Sequence, residues 1–411
     1  MSKHVDCCIA GGGPAGLMLG VLLARAGVGV LVLEKHADFL RDFRGDTIHP
    51  STMEIMHELG WLDEFLTLPH QPVSQLVAQF GAERLTVADF SHLPSRAKFI
   101  AMMPQWDFLN FLARKGKAYP GFELRMNAEV TGFADGAGQA PGRTLAVKTL
   151  DGPATVTATL AVAADGRDST LRAAAGLQSI DFGAPMDALW FRLSRHPADT
   201  TETQGRFDGG RIFIMLNRGD YWQCAFVIPK GRNEQVRSEG LVAFQRAVGR
   251  LVPFEPERAS EISNWDMVKL LTVKVDRLKQ WSAPGLLCIG DAAHAMSPVG
   301  GVGVNLAVQD AVAAANILAR PLLEHRLTTN DLEAVQRRRE RPTRMTQRLQ
   351  LLMQNTVIAP TLSASALPRP PAVLRWLTRV PILNRLPARV VGLGVQPEHV
   401  AGFIRDGAGS S

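Results

Sequence analysis

The chain has 411 residues, enough for two or three domains, and its 46% hydrophobic and 20% charged residues are typical of a globular protein. Four cysteines without a Cys-x-x-Cys spacing exclude a secreted disulfide framework and give no reason to expect a metal site. The net charge of +6 owes much to arginines within residues 337–348, where no aromatic residues interleave, so a solvated helix face is favoured over a nucleic-acid surface.

The first predicted element is a dinucleotide-binding unit at the N-terminus. A short apolar strand, Val5 to Ala10, leads into the glycine-rich turn Gly11 to Gly16 and an apolar helix. A second strand, Val28 to Leu33, then ends in Glu34. This order of strand, GxGxxG, helix, strand and acid predicts dinucleotide binding, with a purely structural glycine-rich turn as the alternative.

The three glycines of the GxGxxG pattern each have a predicted role. Gly11 makes the turn, Gly13 lets the backbone approach a pyrophosphate, and Gly16 lets the helix pack on the strand. An acid at position 34 favours an adenosine ribose with a free 2′-hydroxyl, as in FAD or NAD. The predicted cofactor contacts here are Gly11, Gly13, Pro14, Ala15, Gly16, Glu34 and Lys35.

Further along the chain, several short segments rich in apolar and aromatic residues have strand character and predict a second, mainly antiparallel sheet. Its predicted strands are Gln75 to Phe80, Arg84 to Val87, Ala188 to Leu193, Arg211 to Leu216, Tyr221 to Ile228 and Met267 to Val275. The first two are predicted to form one hairpin, and the turn Asn217 to Asp220 predicts a second hairpin between the strands that flank it. A helix from Val236 to Leu251 is expected to cover its outer face. A sheet beside a cofactor can form one wall of a substrate pocket.

Two more motifs follow buried strands. The first, Asp165-Gly166-Arg167-Asp168-Ser169-Thr170-Leu171-Arg172, follows a strand from Ala158 to Ala163, and alone it predicts only a turn and a helix cap at Ser169. The second, Gly290-Asp291-Ala292-Ala293-His294 with Pro298, Gly301, Gly303 and Asn305, follows a strand from Gly285 to Ile289 and opens a helix. Asp291 can accept hydrogen bonds from sugar-like hydroxyls, and the helix N-terminus can hold negative charge.

Together the three motifs resemble the class A flavoprotein monooxygenases, the family of para-hydroxybenzoate hydroxylase. That family carries GxGxxG, DGxxSxxR and GDAAHxxxPxxGxGxN, which occur here in the same order within residues 1–355. The resemblance implies an α/β fold with a discontinuous Rossmann-like FAD-binding domain over residues 1–70, 98–180 and 280–355. It also implies an inserted substrate-binding sheet domain over residues 71–97 and 181–279, followed by a helical tail over residues 356–411.

The same resemblance assigns residues to FAD. It implies that Asp291 contacts the ribityl chain, and that Asp165 serves both FAD and the approaching nicotinamide nucleotide. Arg44 stands where the family has a phosphate-binding arginine, with a solvated surface arginine as the alternative, and Gln105 stands near the flavin side chain. The remaining implied contacts, most of them at the pyrimidine end of the flavin, are Gly290, Pro298, Gly301, Gly303, Val304 and Asn305.

The implied reaction is an aromatic hydroxylation in which NAD(P)H reduces FAD and O₂ forms a flavin C4a-hydroperoxide, whose distal oxygen is transferred to the ring. Only one strand-preceded GxGxxG occurs, so NAD(P)H is expected to bind transiently. The alternatives are an FAD-dependent reductase that inserts no oxygen, and a flavin-retaining binding protein without turnover. A flavin halogenase is disfavoured because both tryptophans of its WxWxIP motif are missing from Cys224 to Pro229.

The residues that activate the substrate are the least defined. The chain has two tyrosines, Tyr119 and Tyr221, so a paired-tyrosine relay cannot be transferred from the family. Tyr221 and His49 are candidates for a polar role in the substrate pocket, and for each a purely structural role is the alternative. Pro298 is expected beside the flavin. The candidate pocket walls are Trp190, Met215, Trp222 and Phe226, with Phe191 in place of Trp190 if Trp190 points outward.

The predicted tail contains a basic amphipathic stretch with Trp376, Leu377, Val380 and Leu383. Packing on its own domain is favoured there over contact with a membrane surface. No uninterrupted apolar run reaches the about eighteen residues of a membrane helix, so we expect a cytoplasmic monomer or homodimer. Its expected partners are an aromatic small molecule and O₂, with no nucleic acid.

Overall fold

The structure is a computed structural model that describes residues 3–40, 46–134, 142–364, 370, 375 and 385–407. The strands are β1 Lys3–Ala10, β2 Val30–Leu33, β3 Thr47–Ile48, β4 Gln71–Val73, β5 Gln75–Phe80, β6 Glu83–Asp89, β7 Ile100–Met102, β8 Phe122–Arg125, β9 Glu129–Phe133, β10 Arg143–Thr149, β11 Gly152–Ala163, β12 Ser179–Asp181, β13 Met186–Ser194, β14 Gln204–Asp208, β15 Arg211–Asn217, β16 Tyr221–Pro229, β17 Lys269–Leu271, β18 Asp276–Leu278, β19 Ser282–Ala283 and β20 Leu286–Cys288. The helices are α1 Pro14–Arg25, α2 Pro50–Glu58, α3 Leu62–Phe65, α4 Gln105–Gly116, α5 Thr170–Ala174, α6 Asn233–Ser238, α7 Leu241–Gly249, α8 Gly303–Leu323, α9 Thr329–Met353, α10 Ala359–Ser363, α11 Arg385–Gly392 and α12 Gly402–Arg405.

The N-terminal strand lies inside the larger sheet, which has eight strands among the described residues. Its main order is β19-β20-β11-β1-β2-β8, with β10 and β9 added beside β11. The strands from β20 to β8 run parallel, and β2 is buried along its whole length. Parallel strands covered on both faces need continuous apolar sequence, which explains the runs of valine, leucine and alanine. Helices α1 and α8 pack together in this core.

The second sheet has seven strands among the described residues, in the order β17-β13-β16-β15-β14-β5-β6. Neighbours are antiparallel except for the parallel pair β14 and β5. Both predicted hairpins, β5–β6 and β15–β16, are confirmed. One face is covered by α7, whose Phe244 ring contacts Phe191, Phe226 and Trp265. The chain therefore has the α/β architecture with mixed sheets that the motifs indicated.

Two predicted elements of this sheet region are corrected. The single helix expected from Val236 to Leu251 is broken into α6 and α7, because Gly240 has a φ of +92° and cannot continue a right-handed helix. The strand expected from Met267 to Val275 is reduced to β17. It is preceded by a 3₁₀ turn over Trp265–Met267, which Asn264 caps by accepting a hydrogen bond from Asp266 N.

The C-terminal part contains the short helices α10, α11 and α12. The predicted amphipathic residues Trp376, Leu377, Val380 and Leu383 lie outside the described residues. By length and composition one segment of the described residues, Val299–Leu323, is apolar enough to cross a membrane, but 83% of its most apolar window is buried inside the protein. It includes α8, which the contacts with α1 and α9 identify as a core helix.

Candidate functional site

The strand register brings the three motifs to one edge of the parallel sheet. Ala10 pairs with both Leu33 and Ala163, and Ala163 pairs with Cys288. The residues that follow these four strand ends are therefore neighbours. Ligands of open α/β sheets bind outside the carboxyl ends of the strands, and this edge is such a place.

The glycines of the first motif fall into two groups. A Cβ on Gly11, where φ is +105°, would lie 2.3 Å from Ala164 O, and one on Gly16 would lie 2.0 Å from Gly11 O. A Cβ on Gly13 would meet no described atom within 4 Å. Gly11 and Gly16 are thus required by close packing of the backbone, whereas Gly13 borders open space.

Helix α1 begins beside this open space. Among the described residues no side chain caps its N-terminus, and its first turn contains no acidic residue. Such a helix end attracts an anion. Glu34 is buried and accepts hydrogen bonds from Gly12 N and His36 N, each at 3.0 Å, so its carboxylate also holds the turn in shape.

Asp165 has both a structural role and an open acceptor. Its Oδ2 accepts hydrogen bonds from Thr170 N (2.8 Å) and Leu171 N (3.4 Å) at the start of α5. Its Oδ1 is buried and has no hydrogen-bond partner among the described residues. The predicted cap is confirmed, because Ser169 Oγ accepts a hydrogen bond from Arg172 N at 3.1 Å.

Asp291 stands on the accessible side of the third motif. It belongs to a 3₁₀ turn over Gly290–Ala292, and its side chain is 37% exposed. Gly290 has a φ of +59°, and a Cβ there would lie 3.1 Å from the methyl group of Ala15. Arg167 Nη2 is 3.8 Å from Asp291 Oδ2, so the second and third motifs meet at this carboxylate.

The turn before α8 is fixed by a hydrogen bond from β3. Gly301 has a φ of +63°, and its carbonyl accepts a hydrogen bond from Thr47 Oγ1 at 3.0 Å. No side chain caps α8, and its first turn contains no acidic residue. The Asn305 side chain is buried and accepts hydrogen bonds from Ser51 Oγ and Thr52 Oγ1, so it ties α8 to α2.

These features fit FAD. Two uncapped helix N-termini, the open space at Gly13, the buried Oδ1 of Asp165 and the accessible carboxylate of Asp291 together offer anion and hydroxyl binding along one edge. Lys35 is exposed. Gln105 begins α4, and its N–H donates to Asp46 Oδ1 at 3.1 Å. Arg44 lies outside the described residues.

A cleft of about 250 Å³ opens between the seven-stranded sheet and a separate sheet that has three strands among the described residues, in the order β3-β7-β4. Its lining includes aromatic, cationic and acidic side chains from both sheets: Pro69, His70, Gln71, Met102, Pro104, Trp106, Asp107, Arg192, Arg218, Asp220 and Tyr221. The Arg192 guanidinium lies 4.6 Å from the centre of the Tyr221 ring. Burial raises the pKa of Tyr221, and the positive charges of Arg192 and Arg218 act in the opposite direction.

A buried ion pair adjoins this cleft. Arg218 Nη1 donates to the Asp46 carbonyl at 3.0 Å, and its Nη2 lies 3.2 Å from Asp46 Oδ2 without good hydrogen-bond geometry. Arg218 Nε donates to Gln223 Oε1 at 2.7 Å. Asp46 is followed by Thr47, whose hydroxyl donates a hydrogen bond to Gly301 O. The same short segment therefore contacts both the cleft residue Arg218 and the turn before α8.

The predicted pocket walls need correction. Met215, Trp222, Phe226 and Phe191 all pack in the cluster against α7, on the face of the sheet turned away from the cleft. Trp190 points to the opposite face from Phe191, but it does not line the cleft. Tyr221 and Trp222 are adjacent on β16, and side chains of adjacent strand residues face opposite sides, so only one of them can line the pocket.

Sequence reasoning missed Arg192, Arg218 and Trp106 as lining residues. Arg192 pairs with Gln223, two residues from Tyr221 on the same strand. Once Tyr221 is assigned to the cleft, that spacing places Arg192 on the same face. The alternation was therefore an available signal for Arg192.

His49 has a structural environment. It is fully buried, its Nδ1 lies 2.8 Å from Val391 O, and its Nε2 has no hydrogen-bond partner among the described residues. Burial lowers the pKa of His49 to about 4, and the nearby backbone of Val391 and Gly301 only partly opposes this effect. His49 is therefore neutral near pH 7 and does not line the cleft, which favours its structural interpretation.

Comparison with known proteins finds similar chains over most of the sequence. The model of a family described as FAD binding domain matches residues 4–349. A 6-methylpretetramide 4-monooxygenase of Streptomyces rimosus is 30% identical over 390 residues, which are 94% of this chain and 92% of that protein. Several other curated relatives are longer, and the chain spans about three fifths of their length.

Two solved structures share the fold. OxyS anhydrotetracycline hydroxylase from Streptomyces rimosus superposes with a TM-score of 0.72 at 23% identity, over 96% of this chain and 77% of the other. The p-nitrophenol 4-monooxygenase PnpA from Pseudomonas putida DLL-E4 superposes with a TM-score of 0.73 at 19% identity, over 95% of both chains.

Proposed function

The chain belongs to the class A FAD-dependent monooxygenases, and from that premise we propose that its substrate is a hydroxylated aromatic compound of the polyketide type, bound in the cleft beside Tyr221. Bound FAD, reduced by NAD(P)H, supplies the transfer of an oxygen atom from O₂ to the aromatic ring. The observation that carries the substrate proposal is the pairing of Arg192 with Tyr221 in a cleft that shares a support with the turn before α8.

Tyr221 and Arg192 suit a substrate that carries an acidic hydroxyl group. Since burial raises the pKa of Tyr221, its hydroxyl stays protonated near pH 7 and can donate a hydrogen bond to a substrate oxyanion. Arg192 adds a positive charge that favours the ionised substrate, which has the more electron-rich ring. The cleft, at about 250 Å³, is at the small end of ligand pockets, so it suits one end of a larger aromatic compound.

We assign the remaining roles to residues at the carboxyl edge of the parallel sheet. Gly11, Gly13, Pro14, Ala15 and Gly16 would hold the pyrophosphate, and Glu34 the ribose. Asp291 would hold the ribityl hydroxyls, and Asp165 would accept through its open Oδ1. The N-terminus of α8, from Gly303 to Asn305, would stabilise negative charge on the bound flavin ring, with Pro298 shaping the adjoining wall.

The domain assignment follows from these roles. We infer that the parallel sheet and its helices form the FAD-binding domain, over residues 1–70, 98–180 and 280–355. The seven-stranded sheet would form the substrate domain, over residues 71–97 and 181–279. We also propose a cytoplasmic location, where NAD(P)H is available.

The test is hydroxylation itself. The purified flavoprotein should oxidise NAD(P)H faster with a hydroxylated aromatic or polyketide present, consume O₂, and place label from isotopic O₂ in the product. NAD(P)H oxidation that yields no labelled product with any such compound would favour the alternative, an FAD-dependent reductase of the same fold.

A variant pair tests the role of the cleft. Tyr221→Phe should weaken substrate affinity by about tenfold, since one hydrogen bond to a charged group is worth about 1.5 kcal/mol or more. Tyr119→Phe is the matched control, because Tyr119 is the only other tyrosine and its hydroxyl instead accepts a hydrogen bond from Arg25 Nη1 at 2.8 Å. Equal effects of the two changes would refute the assignment.

A further inference from the structure

A chain of buried charges ties the Gly290–Asp291 turn to the C-terminal segment. It begins at Asp310 of α8, which is fully buried. Its Oδ2 accepts a hydrogen bond from Gly290 N at 3.1 Å and lies 2.6 Å from His294 Nε2. Its Oδ1 accepts a hydrogen bond from Arg339 Nε at 3.0 Å. One carboxylate thus holds both ends of the turn that carries Asp291.

Arg339 of α9 is the next member of this series of paired charges. It is fully buried and its Nη1 donates to Glu398 Oε1 and to Gln396 O, each at 3.2 Å. Glu398 is itself buried and also pairs with Arg338 Nη2 at 3.0 Å. Negative and positive charges therefore alternate from Asp310 to Arg338. Removal of Asp310 or Arg339 leaves a buried opposite charge with fewer partners, which is unfavourable.

The segment that contains Glu398 is bound at several further points. Asn316 Nδ2 donates to His399 O at 2.8 Å, and Ala401 N donates to Asn316 Oδ1 at 2.9 Å. Val400 N donates to Glu58 Oε2 at 2.7 Å, and Arg25 Nε donates to Ile404 O at 2.9 Å. The segment from residue 396 to residue 404, here called the C-terminal strap, thus binds α1, α2, α8 and α9.

We propose that Asp310 and Arg339 are positioning residues for FAD, and that the C-terminal strap completes their hold through Glu398. Asp310 fixes Gly290 so that Asp291 is presented to the ribityl chain. The strap therefore contributes to FAD affinity although Glu398 is connected to Asp291 through the intervening Arg339, Asp310 and Gly290. This inference rests on the role proposed above for Asp291.

The test compares FAD with ADP, because ADP contains only the half of FAD that the N-terminal glycines and Glu34 would hold. Asp310→Asn keeps the shape of the side chain but cannot accept from Gly290 N, Arg339 and His294 together. In apoprotein prepared by removal of FAD, it should weaken FAD binding by about tenfold or more, the value of one charged hydrogen bond. Its affinity for ADP should stay within about twofold of the parent protein, because an independent contact is unaffected.

Glu398→Gln should weaken FAD binding in the same selective way but by less. Glu333→Gln is the matched control on α9, since Glu333 pairs with Arg337 on an exposed face and should leave both affinities unchanged. If Asp310→Asn weakens FAD and ADP equally, the chain of charges is merely structural and the inference is overturned. If Asp310→Asn does not fold, Glu398→Gln decides between the same two outcomes.

Asp291→Ala separates this inference from the proposed function. If that variant binds FAD normally, the proposed role of Asp291 fails. If it loses FAD affinity while Asp310→Asn and Glu398→Gln retain it, the proposed role stands and the positioning chain is refuted.

Discussion

Gly13 and Gly16 belong to one motif but are required for different reasons. A methyl group on Gly16 would lie 2.0 Å from Gly11 O, so Gly16→Ala should lower the stability of the apoprotein by about 1–3 kcal/mol or more. A methyl group on Gly13 would meet no atom of the described residues within 4 Å, so Gly13→Ala should leave that stability within about 0.5 kcal/mol. Gly13→Ala should instead weaken FAD binding, because the methyl group occupies the space proposed for the pyrophosphate.

Thermal unfolding of the two apoproteins and FAD titration check this pair. Normal FAD affinity in Gly13→Ala would show that the pyrophosphate does not approach there. Normal stability in Gly16→Ala would show that the close approach of α1 to the first strand is not required.

His49 predicts a pH dependence of stability. Its pKa is about 4 in the folded protein against an ordinary value of 6.5, so between these values the unfolded chain binds a proton that the folded chain does not. Stability therefore falls as the pH falls through this window and is unaffected by His49 above it. Between about pH 7 and about pH 5 the loss due to His49 should be about 2 kcal/mol.

Urea unfolding of the protein and of His49→Gln across this range isolates that contribution. Other acid-sensitive groups, such as the carboxylate of Asp310, whose pKa His294 and Arg339 hold down, act equally in both proteins. The variant should therefore lose about 2 kcal/mol less on acidification. Parallel curves for the two proteins would mean that His49 is not buried in its neutral form.

At the level of elements, helix α9 holds the loop that carries Pro298. Gln350 is buried, and its Nε2 donates to Ser297 O and Val299 O, each at 2.9 Å. Its Oε1 accepts a hydrogen bond from Ser297 N at 3.2 Å. A primary amide can make all three bonds because it both donates and accepts. One side chain thus fixes the backbone on both sides of Pro298.

Gln350→Ala should free this loop and reduce kcat/KM for hydroxylation by about tenfold or more, since small displacements near reacting groups have large effects. FAD affinity should change by less than about twofold, because Asp291 is held separately by Asp310. Leu349→Ala, at a neighbouring exposed position of α9, is the control and should match the parent protein. A variant that binds FAD poorly but hydroxylates normally would contradict this division of roles.

The elements also show what the sequence could and could not predict. The strand before Gly11 and the hairpin around Asn217 follow from local pattern and are present in the structure. Which face of β16 lines the cleft depends on where α7 packs, and no local pattern contains that information. Asp310 was missed because a lone acid inside an apolar helix is not a motif, and only the fold brings it to Gly290.

At the scale of the whole molecule, Arg218 and Asp46 join the seven-stranded sheet to the sheet formed by β3, β7 and β4 beside the cleft. Arg218 lies in the turn between β15 and β16 of the seven-stranded sheet, with 2% of its side chain exposed, and Asp46 lies just before β3. Asp46 also accepts a hydrogen bond from Gln105 N at the start of α4. This one carboxylate therefore contacts both the turn between β15 and β16 and the start of α4. A hinge or slide between the sheets would have to break this ion pair.

A double-mutant cycle on Asp46→Asn and Arg218→Gln should therefore show strong coupling. Each single change leaves a buried charge unpaired and should cost about 3–5 kcal/mol of stability, while the double change should cost much less than their sum. The exposed pair Arg84 and Glu202, with 55% and 44% of their side chains exposed, is the control and should couple by less than about 1 kcal/mol.

Because Asp46 and Arg218 adjoin the cleft, their single variants should also oxidise more NAD(P)H per product formed. Additive effects on stability together with normal product yield would mean that the sheets are held together elsewhere.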